Sequence, residues 1–214
     1  MKPASQAEVD AAITRFGNYR TKRTQTVALE GEPDGISGSL LMAFGCRETW
    51  LQNIEGGAKK VNNEWVPLDP KNPADAAIMD VGCFQLSRKW QEDGLRALGR
   101  AVKTNTWKPY DYSHSPFDAG YVPLFEDSLR YTIELMHEHM AFAEDDGIKK
   151  LDDRVLIAIG AHNRGYDGAL KGFKQNGIAG IDAGTTGGDY VSWVLACRTQ
   201  INKWLGQHPG WKVG

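Results

Sequence analysis

Residues 37–53, SGSLLMAFGCRETWLQN, decide how the chain is read. The preceding stretch GEPDGISGS is dense in Gly, Pro, Asp and Ser, a loop and helix-start signature that predicts a helix beginning near Ser37. On that helix Leu41, Phe44, Glu48 and Leu51 follow at steps of three, four and three. Residues so spaced share one helix face, so the Glu48 carboxyl falls on the stripe meant for the core. Burial penalises the ionised form and raises a carboxyl's proton affinity. A Glu still protonated near neutral pH is suited to general-acid chemistry. Two structural readings compete: Arg47 or another cation pairs with Glu48, or the stripe reaches a helix end open to water.

Working outward, residues 4–16 carry Ala, Val, Ala and Ile at helical spacing and predict an opening helix. The basic cluster at 21–23 reads as a solvated connector. Between Glu55 and Asp80 the chain turns polar, and Asn62-Asn63 between two short Val- and Trp-containing runs predicts a hairpin. Residues 87–102 read as an amphipathic helix, and residues 104–121 as a long irregular loop rich in aromatic side chains. Those rings, including Trp107, Tyr110, Tyr112, Phe117 and Tyr121, either offer flat apolar faces to a ligand or anchor the loop in the core. Leu129, Ile133, Met136 and Met140 mark a long helix, and LDDRVLIAIGAHNRG predicts a core helix with an Asp N-cap and a stop at Gly165. Tyr190, Val194, Cys197, Ile201 and Trp204 mark the last helix, after a start at 185–189 rich in capping residues. The fold class expected is α+β, mainly α-helical, with a small β-hairpin element.

The 214 residues suffice for one well-packed domain or two small lobes. A formal charge of −2 offers no basic face for nucleic acid. No apolar run is long enough for a membrane span, and the first residues lack the pattern of a secretory signal. Cys46, Cys83 and Cys197 are odd in number and widely spaced, which predicts reduced thiols rather than a disulfide framework or zinc site. His137-Glu138-His139 is no better as a metal motif, because residues two apart on a helix point to different sides. No metal or other cofactor is expected.

The run Arg47-Glu48-Thr49, followed by Asp80-Val81-Gly82-Cys83-Phe84-Gln85-Leu86-Ser87, resembles the two opening motifs of goose-type lysozymes and soluble lytic transglycosylases. In that superfamily a catalytic Glu follows an apolar helix and a Gly-x-x-Gln segment lines the cleft. Ala161-His162-Asn163-Arg164-Gly165 is similar to the family's Ala-Tyr-Asn-Ala-Gly, and the segment from Asp182 to Tyr190 looks like the goose-type stretch before the last helix. The four motifs stand in family order over roughly residues 36–205. The resemblance implies one lysozyme-like catalytic domain over 1–214, with an N-terminal helical extension at 1–35 and the hairpin beside the cleft. It implies Glu48 as general acid and Gly82, Gln85, His162, Asn163 and Tyr190 as substrate-binding residues.

The chemistry of these residues agrees with such roles. Glycine permits close approach of sugar or backbone, Gln85 and Asn163 donate and accept, and Tyr190 pairs an apolar face with a polar tip. The ordinary readings are Gly82 as a turn, Gln85 as a surface amide, Asn163 as a helix C-cap, Tyr190 as core and His162 as a satisfied helix histidine. Ser87 stands where the family places an aspartate that positions water, so the second carboxylate falls to Asp80 first and Asp75 next. An inverting hydrolase tolerates acid and base roughly 6.5–9.5 Å apart. Without a second carboxylate, Glu48 serves as acid and then base while the sugar's own hydroxyl closes a 1,6-anhydro ring, as in lytic transglycosylases. Trp65 and Glu64 fall on the hairpin and take no catalytic role. The function expected is a bacteriolytic peptidoglycan glycosidase (muramidase) cutting between N-acetylmuramic acid and N-acetylglucosamine, with glycan strands as partner, no membrane insertion and a monomeric state. A bacteriophage endolysin held in the host cytoplasm until release to the wall suits these features. The rival is a lysozyme-like scaffold that binds glycan without cleaving it.

Overall fold

The computed structural model describes residues 5–18, 35–51, 55–69, 71–76, 78, 80–87 and 122–208. The basic cluster at 21–23, residues 88–102 of the helix expected over 87–102 and the aromatic loop at 104–121 lie outside the described residues, while Ser87, expected to start that helix, ends a strand instead. The chain divides into two compact units, Met1–Trp50 with Ile133–Gly214, and Leu51–Thr132. Among the described residues it is mainly helical, with seven helices and two small antiparallel sheets.

In the first unit, α1 spans Gln6–Asn18 and α2 spans Gly38–Thr49. α2 starts where expected: Ser37 is its N-cap, with Oγ accepting from the Leu40 N–H at 3.3 Å. Every residue from Gly38 to Cys46 is buried, so α2 is a helix enclosed on all sides rather than an amphipathic one. It stops at Thr49 because Trp50 turns left-handed (φ 56°) and returns its N–H to the Cys46 carbonyl at 3.1 Å. Leu51 also has positive φ (58°), so it is buried beyond the helix and does not continue the stripe of Leu41, Phe44 and Glu48.

After the short α3 (Pro73–Ala76) comes α4 (Val122–Asp145), whose part from Ile133 onward belongs to the first unit and buries Met136, Met140 and Ala143. α5 (Leu151–Arg164), α6 (Tyr166–Asp182) and α7 (Tyr190–Gln207) complete the first unit. α7 is its hub, packing against α1, α2, α5 and α6. The Asp N-cap expected for α5 is corrected: Lys150 holds the cap without a side-chain bond, and Asp152 and Asp153 sit in the first turn. There their charge complements the positive end of the helix dipole, which needs no capping geometry. The stop at Gly165 is as expected, with φ 75° and its N–H bonded to the Ala161 carbonyl at 2.8 Å.

α5 lies close to α6 and α7 at Gly160, where a Cβ would come within 2.3 Å of Ile181 Cγ2. Ile181 is itself fully buried and cannot swing aside. Gly160→Ala is therefore expected to destabilise the protein by about 1–3 kcal/mol through overpacking. Urea denaturation checks this, and an unchanged midpoint would show that the packing yields.

In the second unit, β2 (Ala58–Val61) and β3 (Glu64–Pro67) form the hairpin expected around Asn62-Asn63. Val61 pairs with Glu64, and both asparagines take positive φ (50° and 71°), the backbone of a two-residue turn of type I′. A second sheet has the order β1–β4–β5, from Glu55–Gly56, Asp80–Val81 and Leu86–Ser87, all antiparallel. The short helix α3 (Pro73–Ala76) carries Asp75. Among the described residues no helix is long and apolar enough to cross a membrane.

Candidate active site

Glu48 sits in the last turn of α2, where that enclosed helix emerges. The residue keeps some exposed surface, yet its carboxyl is densely surrounded by protein atoms. Burial pushes its pKa from 4.5 up to about 7, against the opposing pull of the Tyr190 hydrogen bond and the Arg47 charge. The Tyr190 hydroxyl donates to Glu48 Oε1. Tyr190 is 2 % exposed, and burial together with the Glu48 carboxylate holds its phenol well above the ordinary range, so it remains a donor. Its polar tip is therefore engaged by Glu48.

Tyr190 is placed by the start of α7, whose exposed N–H groups are satisfied from outside the helix. Asp189 occupies the N-cap but makes no capping bond. Instead Asp182, 4 % exposed, accepts from Val191 N at 2.6 Å, from Ser192 N at 3.1 Å and from Ser192 Oγ. Thr185 Oγ1 takes the Tyr190 N–H at 3.3 Å while donating to the Asp182 carbonyl at 2.8 Å. The capping richness read at 185–189 is thus realised through Thr185, with Asp182 upstream of it.

Arg47 links the two helices. Its guanidinium bonds Asp189 Oδ1 at 3.1 Å and the Thr186 carbonyl at 3.2 Å, with the side chain only 4 % exposed. It lies over the rings of Tyr190 and Trp193, 5.2 and 5.6 Å from their centroids, and Trp193 meets Trp50 edge-on at 5.7 Å. Arg47 thus has Asp189 as its ion-pair partner and reaches Glu48 as a nearby charge.

Phe44, one turn before Glu48 and fully buried, meets both Tyr190 (6.3 Å) and His162 (4.7 Å) edge-on. His162 is half-buried at the end of α5. Next to it in charge, His139 on α4 stacks on Tyr166 at 5.9 Å, and burial followed by the His162 charge lowers its pKa to about 4. Asn163 does not cap α5: its Oδ1 accepts the Thr186 N–H at 2.9 Å and pins the segment between α6 and α7. Beneath that segment Arg164 Nη1 donates to the carbonyls of Gly180 (3.0 Å) and Ile181 (2.7 Å).

Within the first unit Glu48 meets Tyr190, Phe44 joins Tyr190 to His162, and Asn163 holds Thr186, whose carbonyl binds Arg47. Asp80, Gly82 and Gln85 belong to the second unit. Gly82 (φ 77°) and Gln85 (φ 48°) flank the turn between β4 and β5, whose Cys83 and Phe84 are fully buried. Gln85 donates to the Gly82 carbonyl from its backbone N at 3.2 Å and from Nε2 at 3.0 Å, so its amide secures the turn. Asp80 is half-buried in β4, opposite Ser87 on one side and Gly56 on the other. Asp75 is held by Lys59 Nζ (2.6 and 2.8 Å) and by the Asp69 N–H (3.0 Å), and these donors, the backbone one foremost, lower its pKa. An acceptor so fully engaged is a structural carboxylate. Among the described residues no group of three His, Cys, Asp or Glu side chains is arranged to hold a metal ion.

Asp182 and Asp189 fall in the segment that resembles the goose-type stretch, but that resemblance gives them no role of their own, and no sequence signal marks Trp193. Compared with known proteins, no family model matches the chain and no curated protein is significantly similar to it.

Proposed function

We propose that the chain is a lysozyme-like peptidoglycan glycosidase that cuts the bond between N-acetylmuramic acid and N-acetylglucosamine, with Glu48 as general acid. The observation that carries this reading is the Glu48 carboxyl, crowded by protein, held at Oε1 by Tyr190 and brought to a pKa of about 7. With Oε1 engaged, the acidic proton rides on Oε2 and passes to the departing glycosidic oxygen as the C–O bond breaks. Water attacking the anomeric carbon and giving up a proton to a second carboxylate completes hydrolysis. In a lytic transglycosylase Glu48, now ionised, instead takes the proton of the N-acetylmuramic acid C6 hydroxyl as that oxygen bonds to C1 and closes the 1,6-anhydro ring. His162 and the Asn163 amide offer hydrogen bonds to acetamido and hydroxyl groups. The four ordered motifs support a wall-degrading enzyme.

Incubating the protein with purified sacculi tests the reading. Turbidity is expected to fall, with soluble muropeptides appearing. Binding to sacculi without any soluble product would favour the non-catalytic glycan-binding scaffold.

Because the acid must be protonated, the rate is expected to decline as pH rises through about 7. The Tyr190 hydroxyl stabilises the ionised carboxylate, so Tyr190→Phe is expected to move that alkaline limb upward. A pH–rate profile checks the sign. A limb shifted downward would contradict the role given to this hydrogen bond.

A further inference from the structure

Asp189 occupies the N-cap of α7 without capping it. A carboxylate at a helix N-cap ordinarily accepts from the first turn. Here Asp182 and Thr185 perform that task for α7, and Asp189 is bonded to Arg47. Arg47 immediately precedes Glu48, and its guanidinium is almost fully buried over two aromatic rings. An arginine there without a compensating anion would strongly favour ionisation of the adjacent carboxyl and discharge the acid.

We propose that Asp189 is a positioning residue for Glu48: it neutralises Arg47 and fixes it over Tyr190 and Trp193, so that Glu48 remains a proton donor. Thr186 contributes its carbonyl to the same guanidinium, and Asn163 holds Thr186 in place. Among the described residues, the charged and titratable groups around Glu48 are Arg47 on its own helix, Tyr190 and Asp189 from α7 and, across the Phe44 ring, His162 from α5, whose charge bears on His139. α1, which also packs on α2, turns Val9, Ala12 and Ile13 to the core and carries Glu8 exposed and Asp10 half-buried. Arg47 is the cation among these that bears on Glu48 directly. The catalytic consequence rests on the glycosidase reading, but the arrangement itself can be measured without turnover.

The experiment is a carboxyl-carbon NMR titration of glutamate-labelled protein, with E48Q identifying the Glu48 signal. Asp189→Asn keeps the size of the side chain and removes its charge, and is expected to lower the Glu48 midpoint by on the order of one pH unit. Arg47→Gln is expected to raise it. The double variant R47Q/D189N has no unpaired buried charge, and its midpoint is expected at or above that of the wild type. If D189N does not fold, the double variant decides. An unmoved or raised midpoint in D189N, or a lowered one in the double variant, overturns the proposal. In sacculus assays the alkaline limb of D189N should move to lower pH, a change that a merely structural loss would not produce. Lysis retained by E48Q would defeat the glycosidase reading while leaving the titration result standing.

Discussion

Glu48→Gln is expected to slow glycan cleavage by about 10³-fold, within the roughly 10²–10⁴-fold range of general-acid contributions. Gln matches Glu in size and still accepts from the Tyr190 hydroxyl, so fold and sacculus binding should survive. Circular dichroism and a sedimentation assay with sacculi check that condition. The same variant has a signature in stability that is independent of catalysis. Glu48 binds its proton more tightly in the folded chain, with a pKa of about 7 against 4.5. Between those values the folded state holds the proton that the unfolded state has released, so stability falls as pH rises through this window. E48Q removes this component. Denaturation midpoints at pH 5 and pH 8 should differ less in E48Q than in the wild type. An equal pH dependence in both would show that the carboxyl is not perturbed.

The second large effect is expected at Asp182. Its carboxylate, almost completely buried, serves Val191 N, Ser192 N and Ser192 Oγ at the start of α7. Asp182→Ala leaves backbone donors at a helix N-terminus without their acceptor and also removes charge from the positive end of the helix dipole. Lost caps cost about 0.5–2 kcal/mol, and hydrogen bonds to charged groups are worth about 1.5–3 kcal/mol each. A loss of about 3 kcal/mol in unfolding free energy follows. Tyr190 stands on the first turn of that helix, so the Glu48 hydrogen bond should weaken as well. Urea denaturation of D182A measures the first effect. A cost below about 1 kcal/mol would mean that α7 is held mainly by packing.

The features legible in the sequence are those with local causes. Ser37 opens α2 because a hydroxyl can reach the N–H three residues on, and Gly165 ends α5 because a positive φ suits glycine. Asn62-Asn63 turns the hairpin because both residues tolerate the left-handed region. Glu48 stands out against an apolar helix, although Leu51, spaced as if on the same stripe, lies beyond the left-handed stop at Trp50. The supports of the site were not legible, since their partners lie far apart along the chain. Arg47 meets Asp189 across 142 positions and Asn163 meets Thr186 across 23. Asp182 caps a helix that starts eight residues later, a spacing set by the intervening turn rather than by helical periodicity. Asp152 and Asp153 show the converse error, where acidic residues at a helix start act through the dipole and not as caps.

The central claim is that Glu48 delivers the proton that breaks a cell-wall glycan. Mass spectrometry of soluble products from purified sacculi, digested in parallel by wild type and E48Q, tests it most directly. The wild type is predicted to release disaccharide muropeptides ending in N-acetylmuramic acid, reducing if water attacks and one water lighter if the 1,6-anhydro ring closes, while E48Q releases almost none. Equal release by the two proteins, or none by the wild type, would contradict the account.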